Sequence, residues 1–131
     1  MDATTSEFWA MIGTSILCGG AIGLDRQLRH KPAGIRTSIL ICLGTCFFIA
    51  LGVSEESDQY SDSTRVLGQV VTGIGFLGAG VILTREGTVV GVTSAAVIWT
   101  LAAIGAIIGF GHYSEALVIS AVTVGILRGL R

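Results

Sequence analysis

The sequence predicts an all-α membrane protein, a polytopic bundle of about five transmembrane helices with the N-terminus outside and the C-terminus inside, and three observations predict it. Uncharged, glycine-rich runs at 8–24, 37–53, 66–84, 88–111 and 116–127 are separated by short charged segments. The chain of 131 residues is 51% hydrophobic and only 13% charged, too few polar groups to cover a soluble globule of this size. The charges between the runs also alternate in sign, which fixes an orientation.

The first run, 8–24, is preceded by Asp2 and Glu7 and by no base. A cleavable signal peptide needs a positive segment there, so this run is expected to stay as a helix. The segment that follows, 25–36, carries Arg26, Arg29, Lys31 and Arg36 against the single acid Asp25. The second run, 37–53, leads to the mirror case at 54–65, where Glu55, Glu56, Asp58 and Asp62 outnumber Arg65. Arg85 and Glu86 divide the third run, 66–84, from the fourth, whose span is taken as 93–111. The fifth run is the shortest. Extended to 113–130, with Arg128 snorkelling to the surface, it too reaches across a hydrocarbon core of ~30 Å at ~1.5 Å per helical residue. With the N-terminus outside, all of the 8 Lys and Arg residues except Arg65 fall on the cytoplasmic side. Trp9 and Tyr113 then stand at the outer ends of their spans, as interfacial aromatics do.

Residues 1–131 read as a single domain, with no linker and no soluble C-terminal domain expected. The 3 cysteines, Cys18, Cys42 and Cys46, lie inside runs, where small-residue packing accounts for them. Cys42 and Cys46 share a helix face, but two thiols make an incomplete metal site.

The densest glycine cluster is Gly73-Ile-Gly75-Phe-Leu-Gly78-Ala-Gly80 in the third run. It matches the dinucleotide-binding pattern in letters only, because no strand precedes it and it sits in the middle of an uncharged run. In lipid, helices associate through close backbone approach, so Gly73, Gly75, Gly78 and Gly80 are candidates for tight helix packing. Each also costs up to ~1 kcal/mol in helix propensity, which leaves open a bent or unwound segment instead. Weaker small-residue clusters occur at 19–23 and 102–106. The first and third runs are each followed by a charged turn and a Thr-Ser pair, Thr37-Ser38 and Thr93-Ser94, a faint sign of an internal parallel repeat.

The polar residues at the edges of the runs form the candidate functional cluster: Asp25, Arg26, Arg36, Arg65 and Gln69. Charges near bilayer depth are costly and face a partner or a cavity. Arg65 and Gln69 share a face at i, i+4, where an interhelical hydrogen bond is the plain alternative for Gln69. The basic segment suits anionic headgroups or an acidic partner as well as a topology signal. Pro32 and Gly34 fix a tight entry to the second span, with Arg36 at its mouth. Asp25 is expected to pair with an arginine of this segment, Arg36 being favoured.

These residues carry a resemblance. Gly23-Leu-Asp25-Arg26-Gln27, Ala33-Gly34-Ile35-Arg36-Thr37, the long block from Gln69 to Ile82, Thr93-Ser-Ala-Ala-Val-Ile-Trp99 and Ala102-Ala-Ile-Gly105 resemble the MgtC/SapB family of bacterial inner-membrane proteins over nearly the whole chain. The resemblance marks Gly34, Thr93 and Trp99 as further motif positions. It implies a small multi-pass protein linked to growth at low magnesium and to survival of pathogens inside macrophages, with inhibition of the F-type ATP synthase as the action proposed for the best-studied members. Asp25 stands where family members often have Glu, and Thr93 and Thr100 where some virulence-associated members have Asn and Cys. Many members also carry a soluble C-terminal domain, so the chain is either a short member or the membrane domain alone.

No enzyme is expected. Nucleophile, base and orienting acid do not occur together, and His30 and His112 are single and on opposite sides in this topology. The expected function is regulation of a membrane partner, with the bilayer and a second copy in a homodimer as the other partners and no nucleic acid. The alternative is a transporter or channel for Mg2+ or another cation, with Mg2+ as the ion such a protein would bind. Mg2+ takes oxygen ligands and usually one or two carboxylates, which are scarce in the runs.

Overall fold

The computed structural model describes residues 4–54, 63–85 and 87–130. It contains five helices, α1 (Ser6–Leu28), α2 (Ile35–Ser54), α3 (Ser63–Ala79), α4 (Val92–Gly109) and α5 (Tyr113–Gly129), with a short hairpin of β1 (Leu83–Arg85) and β2 (Thr88–Val90) between α3 and α4. The acidic residues Glu55, Glu56, Asp58 and Asp62, and Glu86, lie outside the described residues. By length and composition α1, α2 and α4 are apolar enough to cross a membrane. α3 and α5 have 17 residues each.

Consecutive helices run in alternating directions. Gly23 near the end of α1 meets Ile35 at the start of α2, Gly52 near the end of α2 meets Val66 at the start of α3, and Gly78 near the end of α3 meets Ala95 at the start of α4. The Tyr113 hydroxyl at the start of α5 reaches the Glu7 carbonyl at the start of α1, at 3.5 Å. Thr5 opens α1 by accepting the Phe8 N–H at 3.3 Å.

α2 is the centre of the bundle, held between α1 and α4. The core gathers Cys18 and Ile22 of α1, Cys42 and Cys46 of α2, and Leu101, Ile104 and Ile108 of α4. All three cysteines are free and buried, and the Cys42 thiol donates to the Leu101 carbonyl. Two glycine pairs at i, i+4 spacing make this closeness, and neither lies in α3. A Cβ at Gly19 would stand 2.8 Å from Ile39 Cα, and one at Gly23 only 2.6 Å from Ile35 Cα. On the other flank, a Cβ at Gly105 or Gly109 would stand 2.5 Å from the carbonyl oxygens of Cys42 or Cys46. Backbone atoms cannot step aside as a flexible side chain can, so these four positions set the spacing of α1, α2 and α4.

The glycines of α3 make no such approach within the chain. Within the chain, a Cβ at Gly68, Gly73 or Gly75 meets nothing within 4 Å among the described residues, and Gly78 makes only ordinary contact with Ala95 at 3.6–3.9 Å. α3 packs on α4 and α2 through other residues, notably Ile74, which joins Ile98, Ala102 and Ala33 in a second, smaller cluster.

Two span boundaries also move. α1 continues past residue 24 to Leu28, because Arg, Gln and Leu are good helix formers wherever charge is tolerated. It stops at His30, whose φ of 55° leaves the helical region, and Ala33 at φ 65° turns the chain into α2. The third span, expected to reach residue 84, ends at Ala79. Gly78 and Gly80 weaken the helix there, and the β-branched Val81, Ile82, Thr84, Thr88, Val89 and Val90 favour the extended hairpin in the register Leu83↔Val90 and Arg85↔Thr88. Gly87 at φ 81° supplies the turn. Gly91 at φ 88° opens α4 where its backbone lies hard against the Val81 carbonyl, so it is glycine for two reasons.

Candidate functional site

The extra turn of α1 brings Asp25 and Arg26 onto a helix, and both are buried, with 2% and 3% exposure. Asp25 Oδ1 accepts from two guanidinium groups, Arg29 Nε at 3.4 Å and Arg128 Nε at 2.9 Å. Its second oxygen, Oδ2, is buried and has no hydrogen-bond partner among the described residues. The carboxylate therefore ties the end of α1 to the end of α5.

Arg26 points elsewhere. Its Nε donates to the Pro32 carbonyl at 3.4 Å and its Nη2 to the Ser94 hydroxyl in the first turn of α4. One buried guanidinium thus links α1, the α1–α2 turn and α4. Gln27 completes the corner, since its Oε1 accepts the Ile35 N–H at 3.2 Å and so satisfies one of the open donors at the start of α2. Gly34 is packed against that same oxygen, where an added Cβ would stand at 2.9 Å. Ser38 closes the turn by donating its hydroxyl to the Ala33 carbonyl at 2.8 Å.

Of the expected cluster, the structure brings together Asp25 and Arg26 but not the other three. Arg36 is exposed, and Asp25 takes Arg29 and Arg128 in its place. The added turn of α1 is the reason, because it puts Arg29 one turn above Asp25 on the same face. Arg65 and Gln69 belong to the opposite end of the bundle, where α2 ends and α3 begins. Gln69 is exposed and lines a groove of about 360 Å³ between α2 and α3 with Thr45, Phe48 and Gly73. Trp99 is also exposed and lines a separate apolar groove between α3 and α4. Thr93 lies with Ser94, Arg26, Arg29 and Lys31 on a cleft at the Asp25 end.

The residues that sequence reasoning did not place in the site are Gln27, Arg29, Ser94 and Arg128. The i, i+4 spacing of Asp25 and Arg29 was a usable signal. No local pattern joins Asp25 to Arg128, 103 positions away.

A family model described as the MgtC family matches residues 12–131. The chain belongs to the MgtC family. Among its relatives, an Escherichia coli K12 protein named "Putative magnesium transporter YhiD" is 42% identical over 95% of this chain and 60% of its own length. "Protein MgtC" of Brucella abortus is 39% identical over 93% of this chain and 50% of its own. "Protein SapB" of Bacillus subtilis is 37% identical over 80% of this chain and 48% of its own. The chain thus spans about half to three-fifths of the length of these relatives. No solved structure matches it. Family membership and three long apolar helices make this a membrane protein.

Proposed function

We propose that the protein is a bacterial inner-membrane protein crossing the bilayer five times, N-out and C-in, that forms a homodimer and supports adaptation to low magnesium and virulence-type stress. It acts by regulating a membrane partner such as the F-type ATP synthase. The observation that carries this contact-based reading is the open face of α3. Gly68 and Gly75, on one face at i, i+7, gain no contact inside the chain, although each costs up to ~1 kcal/mol in helix propensity, and Phe76 next to Gly75 is 81% exposed. A face kept small on an apolar helix suits the backbone of a second membrane helix.

Alternating helix direction and the gathering of Arg26, Arg29, Lys31 and Arg128 at one end support the topology. α3 and α5, at ~25 Å each, fall short of a ~30 Å core, and local thinning with Arg128 at the interface covers the difference. Reporter fusions after Tyr60 and after Arg131 are expected to read outside and inside, and a reversed pair defeats the five-span topology. For the function, Gly75→Leu is expected to abolish growth support at low Mg2+ and crosslinking to ATP synthase membrane subunits, with the amount of folded protein unchanged. Growth equal to wild type would defeat the contact reading.

Cation transport is the second reading, favoured by the printed name of the Escherichia coli relative. Against it stands Asp25, whose Oδ1 is already held by two guanidinium groups, whereas Mg2+ is held through carboxylates and retained waters. Mg2+ flux into liposomes that is lost in Asp25→Asn would establish transport instead.

A further inference from the structure

At the Asp25 end of the bundle a cleft of about 490 Å³ opens between the last turn of α1, strand β2 with the start of α4, and the last turns of α5. Its two walls differ in chemistry. On one stand Arg26, Arg29 and Lys31, with the hydroxyls of Thr93 and Ser94 beside them. The other is apolar, built from Val89, Val92, Ile126 and Leu130, all of them substantially exposed.

The charge on the basic wall is only partly answered. Asp25, the nearest acid among the described residues, gives its Oδ1 to Arg29 and to Arg128. Arg26 is buried at 3% exposure, yet among the described residues its hydrogen-bond acceptors are two neutral oxygens, the Pro32 carbonyl and the Ser94 hydroxyl, and the charge of Asp25 acts on it only through space. A guanidinium removed from water with no carboxylate hydrogen-bonded to it is an expensive arrangement, and an arriving anion offsets that cost. Three bases and two hydroxyl donors around one opening match the several oxygens of a phosphate group.

We propose that this cleft binds the phosphate of an anionic phospholipid. A free phosphate would use the basic wall and leave the apolar one idle, whereas a lipid uses both, with its headgroup among Arg26, Arg29 and Lys31 and its chain along Val92, Ile126 and Leu130. The level is also right. α1 and α5 end here and α4 begins here, so the cleft sits where apolar helices give way to polar turns, the depth of headgroups.

The test uses the whole purified chain in detergent, titrated with phosphatidylglycerol, with phosphatidylcholine, or with millimolar inorganic phosphate, while thermal unfolding and native mass spectrometry report binding. Phosphatidylglycerol is expected to bind saturably and to raise the unfolding temperature more than phosphatidylcholine. Lys31→Gln and Arg29→Gln are each expected to weaken it about fivefold, the effect of one interfacial base on anionic lipid. Arg36→Gln removes the same charge from an exposed site outside the cleft and is expected to leave binding unchanged. Lys31 is exposed, and Leu130→Asp adds a repelling carboxylate at the exposed end of α5, so both variants keep the test open if Arg29→Gln fails to fold. Inorganic phosphate that stabilises the protein with the same variant pattern, where lipid does not, overturns the lipid assignment. Equal weakening in Arg36→Gln, or no preference for phosphatidylglycerol, overturns the site.

Discussion

Two regions of this molecule carry clustered glycines in helices, and their surroundings could hardly differ more. On α1 and α4, Gly19, Gly23, Gly105 and Gly109 hold backbone against backbone, with space for a Cβ closed to 2.5–2.8 Å by atoms of α2. On α3, Gly68, Gly73 and Gly75 face open space. The denser cluster is the one without a close internal partner, Gly78 alone making ordinary contact with Ala95. Glycine content therefore tells that a helix is able to approach another closely, and only the partner's position tells whether it does so within the chain.

The largest effect that would break this contrast is on the α2 interfaces. Gly109→Val or Gly23→Val must displace a carbonyl or a Cα, and overpacking of that kind costs about 3 kcal/mol or more. Reversible unfolding in mixed detergent is expected to show at least that loss, or no folded protein to measure. Stability near wild type in both would mean that α1, α2 and α4 are not spaced by these positions.

The same contrast explains what the sequence made legible. Hydropathy and the sign of the charges gave five helices in order, since runs of that length need no knowledge of tertiary contacts. The hairpin is not legible, because Val81, Ile82, Val89 and Val90 are as apolar as a span and hydropathy does not separate a β-branched strand from a helix. In the site, Asp25 and Arg26 were readable as costly charges beside a run, and Gly34 as part of a tight entry. Their partners were less so. Arg36 stands at the mouth of α2, whereas one more turn of α1 hands Asp25 to Arg29 and to Arg128 of α5. Gln27 as the acceptor that opens α2 depends on the left-handed turn at His30 and Ala33, which no periodicity announces.

A middle-sized effect is expected at the polar corner, where the partners are present but partly wet. Asp25→Asn keeps the shape of the side chain and removes its charge from two guanidinium groups. The expected loss is about 2 kcal/mol, near the value of a hydrogen bond to a charged group. Arg128 is 59% exposed at its side chain, so Arg128→Gln should cost under ~1 kcal/mol. The double variant should cost less than the two losses added, because each single change leaves the other member of the pair unanswered. Additive losses in an unfolding cycle would show that the α1–α5 contact is incidental.

The smallest effect on stability is expected on α3, and it sharpens the comparison most. Gly73→Ala and Gly75→Ala add a methyl group where nothing stands within 4 Å, and each removes a glycine from a helix interior. The folded monomer should become more stable by up to about 1 kcal/mol per site, the reverse of the change at Gly109. Association should move the other way in Gly75→Ala, since a methyl group on the face Gly75 shares with Gly68 keeps an approaching helix's backbone apart. Detergent unfolding read beside crosslinking in native membranes separates the two effects. A gain in monomer stability with weakened crosslinking would show that these glycines serve a contact outside the chain. A loss of monomer stability would instead mean that the glycines of α3 pack internally after all, and the distinction between the two regions would collapse.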